Sequence, residues 1–169
     1  MMHALSQYLP AGVQLRRIVQ VGIVVPDLEN TTELLTKLFG VGPFRFVTWP
    51  DRPEAKYYYR GKEEPIKISQ AFVQLGAIEI ELIQPLEGER NAYKEFLEQK
   101  GGGIHHALFE VSDLEAVTSE LAKAGVTVLQ SGTGIRSGTR WALLDTQALL
   151  GFFVELRHRP GESDGSSIS

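Results

Sequence analysis

Apolar and polar residues change their period twice along the chain, in the same order each time. Gln20 to Leu35 (QVGIVVPDLENTTELL) lies over His106 to Leu121 (HALFEVSDLEAVTSEL) without a gap. Val25, Asp27, Leu28, Glu29, Thr32 and Leu35 thus recur as Val111, Asp113, Leu114, Glu115, Thr118 and Leu121. Ile80-Glu81-Leu82 is echoed further on by Val154-Glu155-Leu156. Such self-similarity marks a tandem repeat. In each half an apolar run (Ile18 to Val25; Ile104 to Val111) reads as a strand, and Asp-Leu then opens a stretch of helical spacing. The first helix is predicted to bury Leu28, Leu34, Leu35, Leu38 and Phe39 and to stop at Gly40; the second buries Leu114, Val117, Leu121 and Ala124 and stops at Gly125. Asp27 and Asp113 stand near the capping positions. Strand-like runs follow at Phe44 to Trp49, Ile68 to Leu75 and Ile78 to Ile83, then at Val126 to Gln130, Arg140 to Leu144 and Gly151 to Leu156. Asn91 to Lys100 has the composition of a short linking helix.

The expected architecture is α+β: two tandem βαβββ modules forming curved sheets around a cleft. Residues 1–15 are an N-terminal extension, 16–100 the first module with its linker helix, 101–158 the second module. The stretch 159–169 (RPGESDGSSIS) is too polar to offset its ordering entropy and is expected to be a disordered tail.

Strand parity decides which polar groups share a face. If Val19, Val21, Ile23 and Val25 face the helix, Gln20 faces away, and the same reasoning turns Glu79 and Glu81, His106 and Glu110, and Phe153, Glu155 and Arg157 to that side. Gln20, Glu81, His106 and Glu155 are equivalent two by two under the repeat, so a pseudo-twofold arrangement would gather them into a metal-site geometry. The plainer reading is four solvent-facing polar residues on half-buried strands; the symmetry between the halves favours a shared site. His105, by parity, points away from His106 and reads as a hydrogen-bonded core histidine.

Composition narrows the chemistry. With no cysteine and 4 His among 169 residues, any metal is held by oxygen and imidazole. With 17 Lys and Arg against 21 Asp and Glu, the net charge is −4, which gives no basic excess for nucleic acid or an anionic membrane surface. No apolar run reaches membrane-spanning length, and the chain reads as cytoplasmic.

The pieces VGIVVPDLENTTELLTKLFGVGPF, IEIELIQP, FLEQKGGGIHHALFEVSDLEAV and GFFVEL resemble the vicinal oxygen chelate superfamily of glyoxalase I, methylmalonyl-CoA epimerase, extradiol dioxygenases and bleomycin- and fosfomycin-resistance proteins. The resemblance covers about residues 16 to 158, and its third piece is most similar to methylmalonyl-CoA epimerase. It implies that the metal positions fall on Gln20, Glu81, His106 and Glu155. The epimerases carry His where this chain has Gln20, but glyoxalase I of the eukaryotic type carries Gln there. The glutathione-anchoring Arg of glyoxalase I is here Val24. The epimerases' catalytic Glu near the second ligand has Glu63 and Glu64 as its nearest counterparts.

One divalent ion per chain (Zn, Co, Mn, Ni or Fe) suits these donors. The resemblance implies that Glu155 is both a ligand and the base for proton transfer α to a carbonyl, with Glu79 and Glu110 as weaker candidates. Phe153, Arg157, Gln74, Tyr59 and Trp141 are the candidate contacts to a small carbonyl compound or CoA thioester, and a homodimer is expected. The loop from Gln130 to Arg140 reads as a flexible hairpin or as a cover for a phosphate or CoA tail. The reading is thus a metal-dependent lyase or isomerase of epimerase type. The alternatives are a non-catalytic small-molecule binder of the drug-resistance type and a ring-cleaving dioxygenase, the latter disfavoured by a single His in the quartet.

Overall fold

In the computed structural model, which describes residues 13–161, β1 (Ile18–Val24) leads into α1 (Leu28–Phe39), and β7 (Gly103–Glu110) into α3 (Leu114–Lys123). Both helices start as the repeat predicts: Asp27 accepts from Asn30 N and Asp113 from Ala116 N. The first half continues through β2 (Arg45–Trp49), β3 (Tyr57–Tyr59), β4 (Lys62–Glu63), β5 (Lys67–Leu75), β6 (Ile78–Glu87) and α2 (Ala92–Lys100). The second continues through β8 (Val128–Thr133), β9 (Arg140–Leu144), the single-turn α4 (Gln147–Leu150) and β10 (Phe153–His158). Residues 1–12 of the expected extension and 162–169 of the expected tail lie outside the described residues.

The modules share one ten-stranded sheet in the order β2-β5-β6-β1-β7-β10-β9-β8-β3-β4. β1 and β7 pair antiparallel at its centre, each with the last strand of its own module parallel beside it. The pseudo-twofold therefore passes between β1 and β7, and the sheet curls into a half-barrel. The hairpin β3–β4 stands outside the predicted βαβββ runs. It belongs to the first module yet pairs with β8 of the second, carrying the chain from one sheet edge to the other.

The helices occupy two sides of this sheet. α1 covers the outside of the first module, where Leu28 and Leu35 pack with Val25, Ala71 and Leu82. α3 covers the second, where Leu114, Val117 and Leu121 meet Ala142, Leu144, Val154 and Leu156. The predicted face of α1 is too broad: Leu28, Thr32 and Leu35 line the seam, whereas Leu38 and Phe39 stay 67% and 73% exposed and Leu34 46%. Residues at i, i+4 and i+7 fall on one narrow stripe, from which Leu34 and Leu38 are rotated away.

α2 instead plugs the inside of the half-barrel. Its Ala92, Tyr93 and Phe96 join Val24, Ile83, Leu129, Leu143 and Phe153 in the interior core. One end of the barrel is thereby filled, and the other remains open.

Candidate active site

Two cross-strand rows underlie the open end. Glu81 and His106 both pair with Gly22, and Phe153 pairs with His106; in the next row outward, Glu79 and Leu108 pair with Gln20, and Glu155 pairs with Leu108. The four residues singled out by parity and repeat, Gln20, Glu81, His106 and Glu155, thus lie on four adjacent strands, all buried. Above them opens a cleft of about 540 Å³.

Gly22 makes the inner row possible. A Cβ on it would stand 2.0 Å from Cε1 of His106, so the imidazole occupies the space that any other residue would fill. Gly22→Ala is expected to push His106 off its place and to destabilise the protein by about 1–3 kcal/mol, the range for overpacked cores. A melting curve and a metal assay on the purified variant check this.

His106 Nε2 is 3.5 Å from Glu81 Oε2 and 3.3 Å from Glu155 Oε2. Ligand atoms about 2.0–2.2 Å from a common ion in tetrahedral arrangement lie roughly 3.4 Å apart, so the spacing fits. Apart from this ion pair, His106 Nε2 and Glu155 Oε2 have no hydrogen-bond partner, so both atoms are available to an ion. Among the described residues no group of three or more His, Asp or Glu side chains is placed so as to hold a metal ion as it stands; the two His106–carboxylate pairs share one imidazole. Gln20 donates its amide N–H to Glu79 Oε1 at 2.7 Å, which leaves its carbonyl oxygen as the donor for an ion. Gln70 on β5 donates to Glu81 Oε1 and holds that carboxylate in place.

The electrostatics follow from burial. Loss of water pushes Glu155 up to about 7, with Glu81 adding to the effect and His106 opposing it. Burial alone would lower His106, but the Glu155 and Glu81 carboxylates overcome it and hold the imidazole above its usual range. Both groups have folded-state values above their unfolded ones. In metal-free protein their contribution to stability is therefore complete at low pH and is lost as pH rises, for Glu155 from about 4.5 through about 7. An ion must displace these protons, so metal affinity is expected to rise with pH up to neutrality. Melting curves of the metal-free protein should fall over this window. Calorimetry in buffers of different ionisation enthalpy should show proton release on metal binding; its absence would mean that neither group is a ligand.

The expected substrate contacts divide. Gln74, Trp141 and Arg157 line the cleft; Phe153 and Tyr59 do not. Phe153 has the parity predicted for it, but it lies in the inner row beside His106, beneath the floor, with its ring centroid 4.6 Å from that of His105. Tyr59 is buried in the interior core and bonds through its hydroxyl to Glu95 Oε1 at 2.5 Å. Glu63 and Glu64 are also outside the cleft, paired with Lys56 and Arg90. On β5 the cleft is instead lined by Ile68, Gln70, Phe72 and Gln74. Glu79 and Glu110 both reach it, the latter paired with Arg157 at 2.7 Å.

His105 corrects the parity argument. Gly22 faces His106 and Ile23 faces Ile104, so His105 is an extra residue in the ladder. Such a bulge re-aims a side chain, and His105 turns inward, its Nδ1 3.1 Å from His106 Nδ1 and its ring packed on Tyr93, Phe96 and Phe153. Burial and the neighbouring His106 keep it neutral, well below the usual imidazole range. Tyr93, absent from the sequence-derived list, also lines the cleft. Its spacing with Phe96 signals a buried helix face, but nothing in that spacing says the helix lies inside the barrel.

Known proteins share this fold. A family model described as the Glyoxalase/Bleomycin resistance protein/Dioxygenase superfamily matches residues 19–142. The chain is 33% identical over 117 residues to the ethylmalonyl-CoA/methylmalonyl-CoA epimerase of Cereibacter sphaeroides, covering 69% of this chain and 76% of that protein. It is 30% identical over 126 residues to the mitochondrial methylmalonyl-CoA epimerase of Homo sapiens, covering 74% of this chain and 63% of that one. A variant of Streptomyces coelicolor methylmalonyl-CoA epimerase in complex with 2-nitronate-propionyl-CoA superposes with a TM-score of 0.64 at 25% identity, covering 89% of this chain and 99% of the other. Repeat, half-barrel and family match converge, and the chain belongs to the glyoxalase/bleomycin resistance/dioxygenase superfamily, within which methylmalonyl-CoA epimerases resemble it in both sequence and fold.

Proposed function

We propose that this protein is a metal-dependent isomerase of epimerase type that removes and returns a proton α to the carbonyl of a small acyl thioester or oxo compound. The observation that carries this reading is the buried trio His106, Glu81 and Glu155 at the cleft floor, with donor atoms of His106 and Glu155 lacking any hydrogen-bond partner. These three and the Gln20 carbonyl oxygen would hold one ion of Zn, Co, Mn, Ni or Fe. When bound, such an ion supplies Lewis-acid polarisation of a substrate oxygen.

Side chains supply the remainder. Glu155, whose carboxylate lies at the cleft, takes the α-proton and gives it back. Gln70 keeps Glu81 oriented. Arg157, although paired with Glu110, has an unpartnered Nε and would meet a substrate carboxylate. The epimerase relatives named for CoA substrates support a CoA thioester as the substrate class.

The test is isotope exchange. Metal-loaded protein in D₂O is expected to place one deuterium at the α-carbon of methylmalonyl-CoA, read by mass spectrometry, and removal of the metal should slow this by roughly 10³-fold, the rate equivalent of several kcal/mol. No exchange with any acyl thioester or α-oxo acid, together with ligand binding that is equal with and without metal, would instead make the protein a binding module.

A further inference from the structure

Tyr93 is the one hydroxyl-bearing side chain at the cleft floor whose position the site chemistry above leaves unexplained. It is the second residue of α2, in a first turn that is firmly held. Asn91 caps the helix through Lys94 N, its own amide donates to Gly88 O, and the Ala92 N–H donates to Gln130 Oε1 at 2.9 Å. The Tyr93 ring packs on His105 with centroids 5.1 Å apart, and the residue is 4% exposed while lining the cleft.

Its neighbour Tyr57 shows the ordinary structural use of a buried phenol: that hydroxyl donates to Gln130 Oε1 at 2.9 Å and approaches Arg90 O at 3.1 Å. Tyr93 differs. Among the described residues no group accepts a hydrogen bond from the Tyr93 hydroxyl, and the nearby Gln130 Nε2 is itself without a partner. Its hydroxyl lies within electrostatic reach of Glu155 and Glu81, which line the same cleft. A rigid O–H donor with no acceptor therefore stands at the cleft where the reacting group must lie.

We propose that Tyr93 is a further catalytic residue, whose hydroxyl donates a hydrogen bond to the substrate oxygen that gains charge as the α-proton departs. The α-C–H bond breaks, its proton goes to Glu155, and its electron pair moves onto the carbonyl oxygen; Tyr93 keeps its own proton and stabilises that oxygen. A donor already in place at a developing oxyanion acts mainly on the transition state. The role rests on the proton-transfer reading above, and the experiment separates the two.

Tyr93→Phe retains the ring that packs on His105 and removes only the hydroxyl. Metal-loaded wild type and variant are compared for binding of 2-nitronate-propionyl-CoA, which carries a fixed negative charge like that of the enolate, and of propionyl-CoA, which does not. Affinity for the nitronate is expected to fall about 10- to 100-fold in the variant, as for a lost hydrogen bond to a charged group. Propionyl-CoA affinity, metal content and melting temperature should stay unchanged, and the exchange rate at saturation should fall by about 10²-fold. A wild type that prefers the nitronate, with a variant that prefers it equally, overturns the role of Tyr93 and leaves the proton-transfer reading standing. A wild type with no such preference and no exchange overturns both.

Discussion

Glu155→Gln is expected to abolish α-proton exchange, lowering its rate by about 10⁴-fold or more while the protein remains folded. A general base alone accounts for about 10² to 10⁴ in rate. Glu155 also approaches His106 within 3.3 Å with an unpartnered oxygen, so the same substitution removes a negative donor from the ion and weakens substrate polarisation. The residue is 6% exposed and the amide is isosteric, so packing should hold. Folding should even gain slightly at neutral pH, where burial works against the ionised Glu155 carboxylate. Rates of deuterium uptake and melting curves measured side by side check both halves of the expectation. Retention of more than about a tenth of the wild-type exchange rate would remove Glu155 from the role of base.

His106→Ala should have the second-largest effect, because this imidazole pairs with both Glu81 and Glu155. Bound metal is expected to fall from about one ion per chain to near none, since a lost ligand removes direct coordination. Exchange activity would go with it. Stability should also suffer, by about 2–4 kcal/mol, because a wholly buried ring is replaced by a cavity beside two carboxylates that lose their cationic partner. Elemental analysis of protein from metal-supplemented cells decides the first point, and an unchanged metal content would exclude His106 as a ligand.

Much of this molecule was legible in its sequence, because the features concerned are periodic. The gapless match of Gln20 to Leu35 with His106 to Leu121 predicts two strand–helix units with equivalent Asp caps, and strand alternation, with its strict period of two, turns Gln20, Glu81 and Glu155 to the cleft side. Periodicity also assigns direction to Phe153, but it carries no information on depth. Phe153 and Glu155 share a face, yet only Glu155 reaches the cleft, because α2 fills the end of the half-barrel nearest Phe153.

Depth, and every departure from the period, was decided by tertiary structure. The bulge at His105 depends on how β7 meets β1, a pairing between residues more than 80 positions apart, and no local preference specifies it. The need for Gly22 arises only once the His106 ring lies across it. Tyr93 reaches the floor because α2 packs inside the sheet while α1 and α3 pack outside, and all three helices carry an apolar face that would serve on either side. Local sequence sets the period and hence the facing of each element; which space that face then meets is set by contacts distant in the chain, and those exist only in the folded molecule.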